Sequence, residues 1–168
     1  MKKIGVFYSF RSIKTAKIAD IIVEKFGKDK AVAVDVDHAW EKDFLAYDKL
    51  IFGVPTWFDG ELPSYWDELI PMLEDIDFKG KKVAVFGNGN QKDYGENFGD
   101  AVGIMAEIIK SAGAEVIGFT STEGYSFESS KADMGNEQFC GLILDFENQI
   151  KLNLPRIEQW VDHLKREI

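Results

Sequence analysis

The chain has 168 residues, of which 45% are hydrophobic, so it is long enough for one domain with a full hydrophobic core. Its 29 acidic residues against 20 basic ones give a net charge of -9, which argues against nucleic-acid binding and favours cationic partners. No apolar run approaches the roughly 20 residues of a membrane span, and the N-terminus enters a predicted strand without a secretory apolar region. One cysteine, Cys140, excludes an internal disulfide and favours a reducing cytoplasm; its apolar neighbours favour core packing over a nucleophilic role.

Short apolar runs alternate along the chain with segments of helical periodicity. Pro71 lies inside the third periodic segment and predicts a kink or a tightening of that helix. The predicted strands are 4–8, 31–36, 49–54, 82–87 and 115–119, and the predicted helices are 15–26, 65–73, 98–112 and 155–166, with a short helix or a turn at 40–47.

This alternation predicts an α/β fold, because near-continuous apolar strands are typical of a parallel sheet that is covered on both faces. We expect a single domain over residues 1–168 with a doubly wound, five-stranded parallel sheet between helices. The polar, Gly/Ser-rich segment 120–137 has no helical period, and 139–144 is strand-like again. The last strand is therefore predicted to be interrupted by a long insertion.

Three unusual loops follow the first, third and fourth predicted strands, and so meet at the carboxyl edge of the sheet, where ligands of such folds bind. The loop 9–15 carries hydroxyls at a strand-to-helix turn, which predicts a phosphate site. The loops 53–60 and 87–95 each carry a large aromatic residue, Trp57 and Tyr94. Two aromatics at one edge predict a clamp for a flat ring, and a flat ring with a phosphate describes flavin mononucleotide (FMN).

Other chemistries are less well supported by the sequence. The run Gly87-Asn88-Gly89 lacks the third glycine and the distal acid of a dinucleotide site, so NAD is not expected. His38 and His163 have no cysteine or acid at ligand spacing, so we expect no metal site, and no catalytic triad is recognisable. Trp66 and Trp160 stand at helical spacing among apolar residues and are predicted to lie in the core.

Several of these segments, in this order and spacing, resemble the flavodoxins, specifically the long-chain type with an insertion in the last strand. The resemblance covers nearly the whole chain. The segments that carry it are 3–8, 53–57, 60–64, 86–89, Tyr94 with Asn97-Phe98, and, for the insertion, 123–125 and 129–132.

The resemblance implies a low-potential, one-electron carrier that shuttles electrons between redox proteins on non-covalently bound FMN and is not an enzyme. It implies that the first loop holds the phosphate and that Trp57 and Tyr94 stack on the two faces of the ring. The expected cofactor-binding residues are Ser9, Phe10, Arg11, Ser12, Ile13, Lys14, Thr15, Thr56, Trp57, Phe58, Asp59, Gly60, Gly87, Asn88, Gly89, Tyr94 and Asn97.

The phosphate loop departs from the family pattern Thr-x-Thr-Gly-x-Thr. This chain has Phe10 in place of the first threonine, Ser12 in place of the second, and Ile13 in place of the glycine, while Thr15 is retained. Without the glycine, the loop must reach its shape with a negative φ at Ile13 or strain that residue. Backbone N–H groups at the helix start can still bind the anion. Arg11 and Lys14 are additional cations that either replace the lost hydroxyl or are only solvated.

In the family, the peptide after the stacking tryptophan turns over on reduction, and by position that peptide is Phe58-Asp59. A turn of this kind needs a positive φ at one central residue. Phe58 is a poor candidate for it, and Asp59 tolerates it better.

The sequence leaves two alternatives to the carrier open: an FMN-dependent quinone or nitro-compound reductase on the same fold, and a flavin-free binding domain. For the carrier, we expect a monomer that docks basic redox proteins, such as a flavoprotein reductase and downstream acceptors, with no nucleic-acid binding and no membrane insertion. The candidate docking acids are Asp59, Glu61, Asp67, Glu68, Glu96, Glu123 and Glu128.

Overall fold

The computed structural model describes residues 3–168 and contains a parallel sheet in the strand order β2-β1-β3-β4-β5, with β8 also paired to β4. The strands are β1 (Ile4–Tyr8), β2 (Ala31–Asp35), β3 (Lys49–Gly53), β4 (Lys82–Asn88), β5 (Glu115–Ile117), β6 (Thr120–Ser121), β7 (Gln138–Phe139) and β8 (Leu142–Leu144). The helices are α1 (Lys14–Phe26), α2 (Glu41–Leu45), α3 (Ser64–Asp67), α4 (Ile70–Asp75), α5 (Asp100–Ser111) and α6 (Ile150–Glu167), with 3₁₀ turns at Val36–His38 and Gly95–Asn97.

The sheet has a hydrophobic core on each face, as the continuous apolar strands predict. Successive residues of β1 point to opposite faces: Val6 packs in the core that contains residues of α1 and α6, and Phe7 packs in the core that contains residues of α4 and α5. Trp160 and Trp66 are buried in these two cores, and their indole N–H groups donate to the carbonyls of Gly118 and Gly53 at 2.8 Å each. The doubly wound parallel architecture is confirmed.

The strand β4 carries two partners along the same edge. It pairs in parallel with β5 through Lys82–Ala84 and with β8 through Phe86–Asn88. The chain between those partners forms the antiparallel pair β6-β7 and surrounding turns. A side chain at Gly141 would place its Cβ 2.1 Å from the Val85 carbonyl oxygen, so only glycine fits at this position. Gly141 lies between β7 and β8, where the chain rejoins the sheet.

Two predicted helices differ from the structure by more than one or two residues at their ends. The segment 65–73 forms two short helices, and Pro71 is the second residue of α4, where its missing N–H removes no helical hydrogen bond. The prediction of one helix, kinked or tightened at Pro71, was therefore wrong, because the break lies between Asp67 and Ile70, before the proline. The last helix begins at Ile150 rather than at Pro155, which lies inside it.

Cys140 is half-buried between β7 and β8, and burial raises the pKa of its thiol to about 11. A thiol that stays protonated at neutral pH suits packing better than nucleophilic chemistry.

Candidate functional site

Two adjoining cavities open at the carboxyl edge of the sheet. The ring cavity, of about 480 Å³, and the loop cavity, of about 630 Å³, share Lys14, Trp57 and Asn88. The other residues of the ring cavity are Thr56, Phe58, Gly89, Asn90, Tyr94, Asn97 and Glu147, and those of the loop cavity are Ser9, Arg11, Ser12, Ile13, Thr15, Pro55, Ser64 and Tyr65. The three loops that the sequence singled out therefore surround one continuous depression.

Both predicted stacking aromatics line the ring cavity and keep much of their surface exposed. The side chain of Trp57 is held edge-on by Tyr65, with ring centroids 5.7 Å apart and an angle of 87° between the planes. Trp57 is 37% exposed and Tyr94 is 52% exposed, so the protein itself leaves both rings available for a ligand. Exposed aromatic rings that share one cavity suit the binding of a flat, largely apolar group.

Trp57 begins a tight turn whose conformation differs from the expectation. The backbones of Trp57 and Glu61 exchange two hydrogen bonds of 2.8 and 2.7 Å. Within this closed turn Phe58 has φ +48°, whereas Asp59 is not in the left-handed region. The expectation that Asp59 rather than Phe58 would take the positive φ was wrong, because the paired ends impose the conformation on the residue directly after Trp57. Phe58 is 73% exposed beside the ring cavity.

Two of the glycines predicted to bind the cofactor, Gly60 and Gly87, are needed for close packing within the protein. At Gly60 φ is +92°, and a Cβ would lie 2.6 Å from Asp100 Oδ2. At Gly87, inside β4, a Cβ would lie 2.3 Å from the Val54 carbonyl oxygen. Neither residue lines the ring cavity, whereas Gly89 does. Both glycines let neighbouring backbone and side chains approach closely enough to form the walls.

Thr56 and Asn97 line the ring cavity and also fix the start of α5. The Thr56 hydroxyl accepts from the N–H of Ala101 at 3.1 Å, and the Asn97 amide donates to Asp100 at 3.2 Å. Their positions at the cavity wall are therefore set by protein hydrogen bonds.

The first loop reaches its shape without glycine. Ile13 has φ -95° and precedes α1, so of the two alternatives for this position, a negative φ or a strained residue, the structure has the negative φ. No side chain among residues 3–168 caps this end of the helix. Since the first N–H groups of a helix have no intrahelical partner, the start of α1 presents donors and a positive dipole end to the loop cavity.

The three predicted phosphate-binding hydroxyls all have protein acceptors in this structure. Ser9 donates to Asp37 at 3.0 Å, Ser12 to the Ser9 carbonyl at 2.6 Å, and Thr15 to Asn88 Oδ1 at 3.2 Å. All three hydroxyl residues still line the loop cavity. To donate to an anion, these hydroxyls must rotate away from their present acceptors.

Phe10, which was predicted to bind the cofactor, hydrogen-bonds and packs within the protein. Its N–H donates to Asp35 at 3.2 Å, and its ring packs on Tyr8 with centroids 5.0 Å apart. It is not among the residues that line either cavity. This backbone donor is therefore occupied by a carboxylate.

Two acids at the carboxyl end of β2, the last strand residue Asp35 and the following Asp37, were missed by the sequence reasoning. Asp35 accepts from the N–H groups of Phe10 and Asp37, and Asp37 accepts from the Arg11 Nε at 2.8 Å. The hydrogen bond from Arg11 is the main cause that holds the pKa of Asp37 below its usual value. Their position at the carboxyl end of a parallel strand was a signal that could have pointed to them.

Glu147, which follows β8, was also missed. Its carboxylate forms an ion pair with Lys14 from the other side of the site. Lys14 lines both cavities and Glu147 lines the ring cavity. The pair therefore joins the phosphate-loop side to the segment that follows the interrupted strand.

The buried carboxylate of Asp145 organises the wall that carries Tyr94. Asp145 accepts from the backbone N–H groups of Glu147 and Asn148 at 3.1 and 2.9 Å, and from Gln91 and the Asn148 amide. Burial raises the pKa of Asp145, but hydrogen bonds from Asn148 and Gln91 outweigh burial and hold this pKa below its usual value. The Asn148 amide also donates to Asn90 in the ring-cavity wall at 2.8 Å.

An acidic groove of about 780 Å³ adjoins the ring cavity and shares Tyr94 and Asn97 with it. Three of the seven predicted docking acids line this groove: Asp59, Glu96 and Glu128. Asp93 is a fourth acid there, which the sequence reasoning did not select. Glu61, Asp67, Glu68 and Glu123 are not among its lining residues.

Within residues 3–168, no group of three or more His, Cys, Asp or Glu side chains is arranged to hold a metal ion. His38 and His163 lie near single acids, Asp35 at 3.9 Å and Glu167 at 2.7 Å. No helix in the described range is both long enough and apolar enough to cross a membrane.

Comparisons with known proteins agree on one family. The flavodoxin family model matches residues 6–139. A flavodoxin of Nostoc sp. is 47% identical over 166 residues, covering 99% of this chain and 97% of the relative. Flavodoxin 1 of Escherichia coli is 42% identical over 164 residues, covering 98% of this chain and 93% of the relative. The crystal structure of Fusobacterium nucleatum flavodoxin bound to flavin mononucleotide superposes with a TM-score of 0.93 at 37% identity, covering 100% and 99% of the two chains.

Proposed function

This chain belongs to the flavodoxin family, and from that premise we propose that it carries single electrons between redox proteins on one non-covalently bound FMN. The observation that carries the proposal is the meeting of Trp57 and Tyr94 in one cavity beside the uncapped start of α1. When bound, FMN supplies the one-electron chemistry that the side chains of this site do not have.

The ring cavity fits an isoalloxazine ring. In the proposal, Trp57 and Tyr94 bind its two faces and exclude water from them, which leaves the edge of the ring toward the acidic groove. Tyr65 and the paired turn hold Trp57 in place before the ligand arrives. A wall that is already formed reduces the entropy lost on binding.

The loop cavity fits the phosphate group. Backbone N–H groups at the start of α1 would donate to the phosphate oxygens, and Ser12 and Thr15 would add hydroxyl donors after rotation. The shared residues Lys14 and Asn88 lie between the two cavities, where the chain that links ring and phosphate would run. Hydrogen bonds to a charged phosphate are worth about 1.5–3 kcal/mol each, so this end should account for much of the affinity.

The acidic groove supports docking of basic redox proteins beside the ring edge. Four acids and one lysine, Lys92, line it, and a cleft of net negative charge attracts partners of the opposite sign. We propose that such partners include a basic flavoprotein reductase and downstream acceptors, that the protein acts as a monomer, and that the single cysteine fits a cytoplasmic location.

The reductase alternative requires an open face of the ring for a second substrate. With Trp57 and Tyr94 on both faces, no such face remains, and no observation favours that alternative. A flavin-free domain would require the loss of the phosphate site. The altered loop keeps the main part of that site, the N-terminus of α1, so the loop does not favour this alternative.

The proposal is tested by reconstituting the purified chain with FMN and with riboflavin. We expect a bound flavin with a visible absorbance band, much weaker binding of riboflavin, and electron transfer to an acceptor protein from a flavoprotein reductase. Absence of a bound flavin after reconstitution would contradict the proposal. Steady-state turnover of a quinone or a nitro-compound at enzymatic rates would favour the alternative.

A further inference from the structure

The exposed Arg11 side chain is held in place by a buried acid. The Arg11 Nε donates to Asp37 Oδ2 at 2.8 Å, and the side chains are 79% and 10% exposed respectively. A guanidinium has five N–H donors in a planar fork, so this bond leaves the two terminal nitrogens with donors to spare. Arg11 also lines the loop cavity, where the proposed function places a phosphate group.

The Asp37 carboxylate is itself fixed from several sides. Its Oδ2 also accepts from the Ser9 hydroxyl at 3.0 Å, and its backbone N–H donates to Asp35 Oδ1 at 3.2 Å. Its Oδ1 is buried and has no partner among the described residues. Removal of Arg11 would leave this buried charge with a single hydroxyl donor, so the pairing constrains both side chains.

A carboxylate at the edge of a phosphate site is unfavourable unless a cation neutralises it, because two negative charges repel. Arg11 is the only cation bonded to Asp37 among residues 3–168. The first threonine and the glycine of the family pattern are absent from this loop, and the Ser9 hydroxyl is turned toward Asp37. Arg11 is thus the additional donor that is oriented next to the cavity.

We propose that Arg11 binds the phosphate group of FMN through its terminal nitrogens and that Asp37 is a positioning residue that holds the guanidinium for this contact. The inference rests on the proposed function and deepens it, because it names the residues that compensate for the altered loop. Removing the acid beside the phosphate is therefore expected to weaken phosphate binding, although the acid itself repels the phosphate.

The test measures dissociation constants of the full-length apoprotein for FMN and riboflavin, by quenching of flavin fluorescence. R11M should weaken FMN binding about fivefold and leave riboflavin unchanged, since an exposed charge contact to phosphate is worth less than a buried one. D37N, which keeps the size of the side chain, should weaken FMN binding about threefold, because the guanidinium is then no longer held for the phosphate contact. The matched controls are K17M and E24Q, each of which removes one exposed charge of the same sign from α1.

The double variant R11M/D37N separates positioning from simple charge. With Arg11 gone, Asp37 has nothing to position, so adding D37N to R11M should leave FMN binding unchanged or tighten it. Urea unfolding of each apoprotein checks that the variants are folded.

Tighter FMN binding by D37N alone would overturn the positioning role, and equal effects of R11M on FMN and riboflavin would overturn the phosphate contact. If the unmodified chain binds neither flavin, the proposed function itself fails. If it binds FMN and R11M and D37N behave like the controls, only this inference fails.

Discussion

Gln91 donates twice to one oxygen of Asp145, through its backbone N–H at 3.0 Å and its side-chain amide at 2.9 Å. The Gln91 side-chain oxygen accepts from the N–H of Ser126 at 2.6 Å. One glutamine therefore links a buried carboxylate after β8 to the segment between β6 and β7. The loop that carries Tyr94 is consequently anchored both to the residue after β8 and to the segment between β6 and β7.

Replacing Asp145 with asparagine should destabilise the protein. An amide turns a donor toward the N–H groups of Gln91, Glu147 or Asn148, so at least one of these partly or fully buried hydrogen bonds loses its acceptor. A buried unsatisfied group costs about 1–3 kcal/mol, and we expect the free energy of unfolding of the apoprotein to fall by about that amount. Urea unfolding measures it, with exposed Glu96→Gln as the control. Equal stability of the two variants would show that the network contributes nothing.

The same residue should contribute to acid sensitivity. The pKa of Asp145 is lowered in the folded protein, so folding favours its ionised form. Its stabilisation is therefore fully present above the unfolded-state pKa of about 3.9 and is lost as the pH falls from there through the folded-state pKa. In that acidic range the free energy of unfolding of Asp145→Asn should fall less steeply with pH than that of the unmodified chain. Parallel curves would contradict this assignment.

The positive φ at Phe58 predicts a stabilising substitution. A non-glycine residue in the left-handed region is disfavoured by about 1–2 kcal/mol, and asparagine tolerates the region better than phenylalanine. Since Phe58 is largely exposed, little burial is lost on replacement. The free energy of unfolding of Phe58→Asn should therefore exceed that of Phe58→Ala by roughly 0.5 kcal/mol or more. Alanine is the matched control because it keeps the Cβ; equal stability would show that the turn is unstrained.

The ring cavity predicts matched losses of affinity for FMN and riboflavin. Trp57→Ala and Tyr94→Ala each remove one aromatic wall, which contributes about 0.5–1.5 kcal/mol beyond burial. Both flavins should therefore bind about tenfold more weakly once the lost burial is included. Trp40→Ala is a suitable control, because Trp40 is exposed and lines neither cavity. A loss confined to FMN would contradict ring stacking by these residues.

The acidic groove predicts electron transfer that slows with ionic strength. Salt screens charge over about 8 Å at physiological strength, so steering by the groove should weaken as salt is added. Neutralising Asp59, Glu96 and Glu128 as amides should slow transfer from a basic reductase at low salt and flatten the dependence on salt. The control set Glu24→Gln, Glu74→Gln and Glu115→Gln has the same change in net charge outside the groove. Equal slopes for the two sets would leave only a general effect of net charge.

The sequence was sufficient to predict the features that depend on local pattern. Continuous apolar strands between helical periods predict a parallel sheet, and the carboxyl ends of β1, β3 and β4 bring their loops to one edge. Trp57 and Tyr94 could be selected because large aromatics in polar loops are otherwise unfavourable. The steric limits on a branched side chain reduced Ile13 to two alternatives, a negative φ or strain, and the structure has φ -95°.

Only the tertiary structure decided how the polar groups of the site pair. Asp37 reaches Arg11 and Ser9 across more than 20 positions of sequence, and Asp145 reaches Gln91 in the same way. Such pairs depend on which strand ends become neighbours, and a local sequence pattern carries no information on that. The turn at Phe58 shows the same limit, since the pairing of Trp57 with Glu61 imposes a backbone conformation that the residue itself disfavours.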